Sequence, residues 1–228
     1  MSAARISSRW LVIAPVTRAE RQRLQLRQEI IDAAFMEFSE RGYHQTGISH
    51  IAKRLGIGHG TFYRYFENKR DILEHVIDSV CDKIRLAMAE ANAPTASRTL
   101  EDYEAQLARL GVSLSKILHE TPGLFRILLL EATSIDPEMT RRITDFFDWC
   151  ARQVDAYFEN GMRQGFLRSD LDRQATAHVL VGMIFSTILM TINGGDPELL
   201  KRMNSAVRRM LLDGIASRPD FQNRSESQ

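Results

Sequence analysis

The sequence predicts an all-α protein of about nine helices. Apolar residues in every long segment recur at spacings of three and four, the period of one helix face. No stretch shows the β-branched alternation of a strand. Helix-stopping and helix-starting residues fall between these patterns: Gly42, Gly56, Pro94, Pro122, Pro137, Gly165 and Gly194-Gly195. With 228 residues, 44% apolar and 26% charged, the chain has the composition of an ordinary globular protein and can bury a sizeable core.

Residues 1–19 lack a sustained period and read as a flexible extension. Within them Trp10-Leu11-Val12-Ile13-Ala14 follows Arg5 and Arg9 and ends at Pro15. It is too short for the core of a signal peptide and far too short to cross a membrane, so a cytoplasmic location is expected. A first helix starts near Glu20, carries Leu26, Ile30, Ala33, Ala34 and Phe38 on one face, and stops at Arg41-Gly42. Two short helical patterns follow, with Ile48, Ile51, Ala52 and Leu55 in one and Thr61, Phe62 and Phe66 in the other, meeting at Gly56-Ile57. Asn68 is placed to cap a fourth helix that runs to Ala91 and carries Ile72, Leu73, Val76, Ile77, Val80, Ile84 and Met88.

Asn92 to Ser97 is the clearest linker. Beyond it come a helix from Leu100 to Thr121-Pro122 and a nearly all-apolar, central segment from Gly123 to Ser134. A long helix from Asp136-Pro137 to Gly165 follows, with Ile143, Phe147, Cys150, Val154 and Met162 on one side. A strongly apolar helix spans Ala175–Ile192, capped by Asp170 or Asp172. The last helix, with Val207, Met210, Leu211 and Ile215 on one face, ends near Ser217, and a polar tail occupies 218–228.

Charge and cysteines set bounds. Residues 1–75 hold twelve Lys/Arg against eight Asp/Glu, whereas the rest holds eighteen against twenty-one. A basic N-terminal third on a mildly acidic body fits a phosphate-facing module on a carrier, with scatter as the plain alternative. Cys81 and Cys150 have no metal-ligand spacing, so no zinc site is expected; both read as small core residues, with a redox sensor as the lesser reading. Gly56-x-Gly58-x-Gly60 follows no strand and is not GxGxxG, and no nucleophile–base set stands out, so neither an enzyme nor a cofactor is expected.

A bihelical unit turning on a glycine is the layout of a helix-turn-helix, whose second helix enters the DNA major groove. The run Thr46-Gly47-Ile48-Ser49-His50-Ile51-Ala52, then Leu55-Gly56-Ile57, then Gly60-Thr61-Phe62-Tyr63-Arg64-Tyr65-Phe66-Glu67-Asn68-Lys69, resembles the N-terminal domain of the TetR family of transcriptional regulators. Ala33-Ala34-Phe35, Phe38 and Gly42-Tyr43 look like that family's first helix, and the match covers about residues 24–78. The resemblance implies an all-α homodimer: a DNA-binding head at 20–67, a linking helix at 68–91 and a ligand-binding and dimerisation body at 99–217. It also implies a repressor released from a near-palindromic operator by a small molecule. An activator, or a ligand-independent nucleoid-type binder with the same head, is the alternative.

Thr46 reads as a cap and phosphate contact, and Ser49 as a first-turn hydroxyl. Gly58 and Gly60 let the second helix approach the groove, which leaves His59 as the main base-reading side chain. By resemblance Tyr63 meets backbone or a thymine methyl, and Thr61, Tyr65 and Lys69 meet phosphate. Lys53 and Arg54 add charge or simply face solvent, and Phe62 and Phe66 are core. Gly47, Gly58 and His59 depart from the family's usual residues, so no operator sequence carries over. Arg5, Arg9, Arg18, Arg21 and Arg23 read as a solvated tail, with a basic arm in the minor groove as the other reading. In the body, Tyr103, Phe125, Arg126, Phe146, Trp149, His178 and Phe185 are candidate lining for a hydrophobic ligand, with plain core packing the competing reading of each.

Overall fold

The structure, a computed structural model, describes residues 17–90 and 93–216. Expectations for Trp10–Ala14, Arg5, Arg9, Ala91, Asn92 and residues 217–228 lie outside the described residues. Within them the fold is all α: α1 Arg18–Arg41, α2 Ile48–Leu55, α3 His59–Tyr63, α4 Lys69–Glu90, α5 Leu100–Glu120, α6 Pro122–Arg126, α7 Pro137–Gln164, α8 Arg173–Ile192 and α9 Pro197–Ile215. The one β pairing described is an isolated bridge between Leu167 and Ala216.

α1 starts earlier than its apolar period suggests, so Arg18 and Ala19 belong to a helix and not to the extension. The cause is a capping box. Thr17 Oγ1 accepts from the Glu20 amide at 3.1 Å, and a Glu20 carboxylate oxygen accepts from the Thr17 amide at 3.1 Å. The core face of α1 begins only at Ile30 and continues through Ile31, Ala33, Ala34, Glu37 and Phe38. Asn68 caps α4 as its position predicts, accepting from the Asp71 amide at 2.9 Å.

The segment read as one central helix, Gly123–Ser134, is broken into three kinds of turn. α6 passes into a π-helical turn at Ile127–Glu131 and then a 3-10 turn at Ala132–Ser134. Ile127, Leu128 and Ala132 are buried, but Leu130 and Arg126 face outward. A π turn admits an extra residue into a helix and is often found at functional positions; here it carries Glu131 to the head.

α7 begins and ends as predicted. Asp136 accepts from the Met139 amide at 2.8 Å, and Gly165 closes the helix at φ 81, a left-handed conformation that favours glycine. Of the two candidate caps for α8 it is Asp172 that accepts, from the Ala175 amide at 3.1 Å; Asp170 is held by Arg168. Phe146 is a core residue of α7 while Phe147 lies half-buried beside Phe185, the reverse of the predicted face. The linker after α4 is not loose where it is described. Ser97 donates to buried Gln106 at 2.7 Å, Gln106 donates to the Ala93 carbonyl at 3.1 Å, and Asn160 donates to the Ser97 carbonyl at 2.8 Å. Cys81 and Cys150 pack in the core as predicted, and burial pushes both thiols up to about 12, so neither forms a thiolate at neutral pH.

Ion pairs tie α4 to α7. Arg70 donates to Asp136 at 2.5 Å and to Glu74, while Arg142 donates to both oxygens of Asp78 at 2.6 Å. The Arg70 guanidinium, with the Met139 amide, holds the Asp136 carboxyl down at about 2. That is below the unfolded value of roughly 3.9. The resulting stabilisation is therefore complete above about pH 4 and fades as pH falls through about 2. Asp136→Asn keeps an N-cap acceptor but loses the charge. It should be less stable than the parent in urea unfolding at neutral pH, with the gap closing below about pH 4; a gap that stays constant down to about pH 2 would contradict this.

Candidate DNA-binding interface

The head is assembled around one buried carboxylate. Glu37 lies on the core face of α1 and is only 4% exposed. Arg54, on the last turn of α2, donates to it at 2.6 Å, and Arg41 donates to its other oxygen at 2.8 Å. Burial pushes the Glu37 carboxyl up, but the hydrogen bonds from Arg54 and Arg41 outweigh burial and leave it below its ordinary value. Arg54 also reaches Glu40, so its charge is spent inside the head, as a solvated-face reading does not anticipate.

Gly56 turns the chain between α2 and α3 at φ 67, the left-handed conformation. Gly58, extended at φ −74, is the N-cap of α3. Phe62 is wholly buried and Phe66 is 1% exposed, as the sequence predicts, and their rings lie 5.8 Å apart. These two anchors present the opposite side of α3 to solvent. His59 and Tyr63, four residues apart and therefore on one face, are both exposed, Tyr63 by 56%. A Cβ at Gly58 or Gly60 would meet nothing within 4 Å, so packing does not demand either glycine; the surface around them is open. Ser49 and Lys53 share an exposed face of α2. Thr61 and Tyr65 are half-buried, Tyr65 against the core.

Two candidates are placed differently from the reading of the sequence. Thr46 is 1% exposed, and its hydroxyl donates to the carbonyls of Glu37 at 3.1 Å and Gly42 at 2.8 Å. It neither caps α2 nor offers itself to phosphate. The α2 N-cap is Gly47, whose amide donates to His50 Nδ1 at 3.1 Å. Lys69 is half-buried, with its ammonium donating to the Tyr43 carbonyl at 2.9 Å and lying 4.2 Å from the Tyr43 ring centre. Burial lowers its pKa. A phosphate contact from Lys69 requires it to give up that carbonyl.

Glu131 is a second residue the sequence does not announce. Its carboxylate accepts from the Tyr43 amide at 2.6 Å and lies 3.3 Å from where a Cβ at Gly42 would stand. The π turn of the body thus touches the junction of α1 and α2. In the sequence Glu131 reads only as a polar anchor for a pocket in the body, not as a contact to the head, whereas Glu37 carries a signal: it occupies a core position three residues after Ala34.

The seven candidate ligand-lining residues do not meet in one chamber. Phe125 and Phe146 are buried in the core shared by α1, α4 and the first half of α7, with Trp149 at its margin. Tyr103 belongs to the other core, with Tyr157, Phe158 and Leu180. Arg126 is exposed, 3.7 Å from Glu131, and His178 is exposed, 3.6 Å from Asp148. Phe185 packs on Phe147 with ring centres 4.0 Å apart. A cleft of about 490 Å³ lies elsewhere, on α9, lined by Lys201, Arg202, Ser205 and Arg209 among others. Among the described residues no three His, Cys, Asp or Glu side chains converge as a metal site does.

A glycine-turned helix pair braced on a longer helix, with its second member bare toward solvent, defines a helix-turn-helix DNA-binding protein. Comparison with known proteins agrees. The sequence model for bacterial regulatory proteins of the tetR family matches residues 30–76. The chain is 26% identical over 190 residues to the fatty acid metabolism regulator protein of Bacillus subtilis (strain 168), spanning 82% of this chain and 94% of that protein. It is 28% identical over 167 residues to the nucleoid occlusion factor SlmA of Aliivibrio fischeri (strain MJ11), spanning 69% and 79% respectively. The solved structure of the fatty acid degradation regulator FadR from Bacillus halodurans is similar with a TM-score of 0.64 and 26% identity, over 84% of this chain and 97% of that one. Residues 30–76 thus carry a TetR-family DNA-binding domain, and the chain is a DNA-binding transcriptional regulator.

Breaking the Glu37 clamp should loosen the head. Glu37→Ala is expected to cost about 2 kcal/mol in chemical unfolding, the lower side of a broken buried pair because both arginines reach solvent. An unfolding midpoint unchanged from the parent would remove the clamp from the account.

Proposed function

We propose that the chain is a homodimeric repressor that binds a near-palindromic operator and leaves it when a small hydrophobic ligand binds the body. The observation that carries the dimer is α8. By length and composition it is apolar enough to cross a membrane, yet only Ala177, Leu180 and Thr187 of its 20 residues are buried. α7 and α9 pack against part of it and leave half of its residues half-buried, while Val179 is 61% exposed and Ile184 36%, with Met210 of α9 at 65%. An apolar surface of this extent calls for a partner, and a second copy laying its α8 and α9 against these makes a four-helix interface. Two-fold symmetry then sets two α3 helices on two half-sites. His59 and Tyr63 are the base-facing side chains, with Ser49, Gly58, Gly60, Thr61, Tyr65 and Lys69 around them as the remaining candidate contacts.

Fatty-acyl compounds are the ligand class to try first, because two relatives that span more than four-fifths of the chain are named as regulators of fatty acid metabolism or degradation. The body is closed around Phe125, Phe146 and Tyr103, so an acyl chain has to part the packing to enter. Three contacts lead from there to the head and to α4, which carries it: Glu131 on Tyr43, Asp136 on Arg70, and Arg142 on Asp78. Only a ligand that binds the parted body better than the closed one shifts the head spacing. The second reading, a nucleoid-type binder without ligand, is favoured by the similarity to SlmA.

Four measurements test this. Val179→Glu with Met210→Glu should turn a dimer into a monomer by light scattering at micromolar concentration; a parent that is already monomeric sinks the symmetric reading. Acyl-CoA esters or free fatty acids should raise the melting midpoint and release operator DNA; if no apolar class moves the midpoint, the ligand reading falls. His59→Ala and Tyr63→Phe should each weaken operator binding about tenfold, roughly 1.4 kcal/mol, with an unchanged helical circular dichroism spectrum. Footprinting that shows continuous coverage, not one short palindrome, would favour the nucleoid-type reading.

A further inference from the structure

The first turns of α1 are helical but belong to no core. The capping box makes Arg18 onward helical, yet no residue of α1 before Ile30 is buried. From Arg18 to Gln25 that is about 12 Å of helix running ahead of Leu26, the first residue of α1 to pack against the head. Arg18, Arg21 and Arg23 are all exposed there, and none has an ion-pair partner among the described residues. The nearby acid, Glu20, is committed to Thr17.

The direction of this overhang follows from what α1 touches. Its last turn meets the body: Ser39 lies against Gly123, and Glu131 takes the Tyr43 amide just beyond. Further back, Arg27 is pinned at the α3–α4 junction, its guanidinium 5.1 Å from the Phe66 ring centre and 2.8 Å from His75 Nε2. Arg18–Gln25 therefore continues past the reading head from the end of α1 opposite the body.

The head itself is short of free cations. Arg41 and Arg54 are paired with Glu37, Arg70 with Asp136, and the Lys69 ammonium with the Tyr43 carbonyl. Lys53 and Arg64 remain, against three arginines on the overhang. DNA affinity comes largely from phosphates neutralised by Lys and Arg. We infer that Arg18, Arg21 and Arg23 form a second DNA contact, gripping the backbone phosphates that flank the half-site beneath α3. This takes a DNA contact over the solvated-tail reading of these three residues, places it on phosphate and not in the minor groove, and rests on the proposed role of the head.

The test uses the full chain and a duplex selected by it from a random pool. In Arg18→Ala/Arg21→Ala/Arg23→Ala, the slope of log affinity against log salt should fall by about 2, one phosphate lost per subunit. Affinity at about 150 mM salt should drop roughly tenfold, and protection outside the half-sites should vanish. The corresponding triple lysine variant should keep the slope. His59→Ala separates the two readings, because it should lower affinity without changing the slope. If the triple alanine variant changes the slope by less than about 1 while His59→Ala still loses affinity, the overhang is overturned and the head stands. A parent chain that selects no duplex overturns both.

Discussion

The Glu37 carboxylate decides where the second helix of the head can lie. It is the acceptor for a guanidinium on α1 and for another on α2, and the carbonyl of the same residue takes the Thr46 hydroxyl. Three constraints on the α1–α2 corner therefore converge on one residue. A buried carboxylate is costly unless its oxygens are satisfied, so the corner has one low-energy geometry and few near it. α3 inherits that geometry through Gly56 and through Phe62, which is fully buried. Tyr63 and His59, the proposed base-facing side chains, are thus positioned by a chain of contacts that starts well behind the exposed face of α3.

The same corner is where the body reaches the head. Glu131 on Tyr43 and Lys69 on the Tyr43 carbonyl use both backbone groups of one residue, one from the π turn and one from the start of α4. One residue on, Arg70 continues the line to the cap of α7. A displacement of α7 is thus felt at α4 by an ion pair, and one of the π turn at α1–α2 by a hydrogen bond. Both partners of the latter are partly sheltered, so breaking it leaves a carboxylate wanting a donor. Such contacts hold two arrangements better than a continuum of intermediate ones.

Helices and their ends were legible in the sequence because they depend on local rules. Asn68, Asp136-Pro137, Gly165 and Asp172 cap or stop helices where periodicity places them, and Phe62 and Phe66 are core as read. Thr17-x-x-Glu20 was legible too, but the apolar period masks it, since a capped helix need not bury its first turns. What could not be read is long-range partnership. Thr46 looks like a cap until α1 supplies two carbonyls, and Arg54 looks free until Glu37 and Glu40 claim it. The π turn has no local signature at all, because its geometry is set by where Glu131 ends. Phe146 and Phe147 are adjacent, and the side of α7 each takes is fixed by α4 and α8, not by its own period. The seven aromatic and polar residues grouped as a ligand site share composition, but they divide between two cores.

The open ground around Gly58 and Gly60 bears on how this head can discriminate. Side chains that reach far tolerate some error in helix position, since rotamers take up the difference. The proposed reading surface, Tyr63 and a His59 flanked by bare glycines, has little such slack. Close approach of the α3 backbone must then be correct to begin with, and that position is fixed by the Glu37 corner. Rigidity at the corner substitutes for side-chain reach at the groove. By the same reasoning, in the proposed repressor a small movement at Tyr43 costs more of the DNA contact than it would cost an arginine-rich head, which makes the corner an effective place for the body to act.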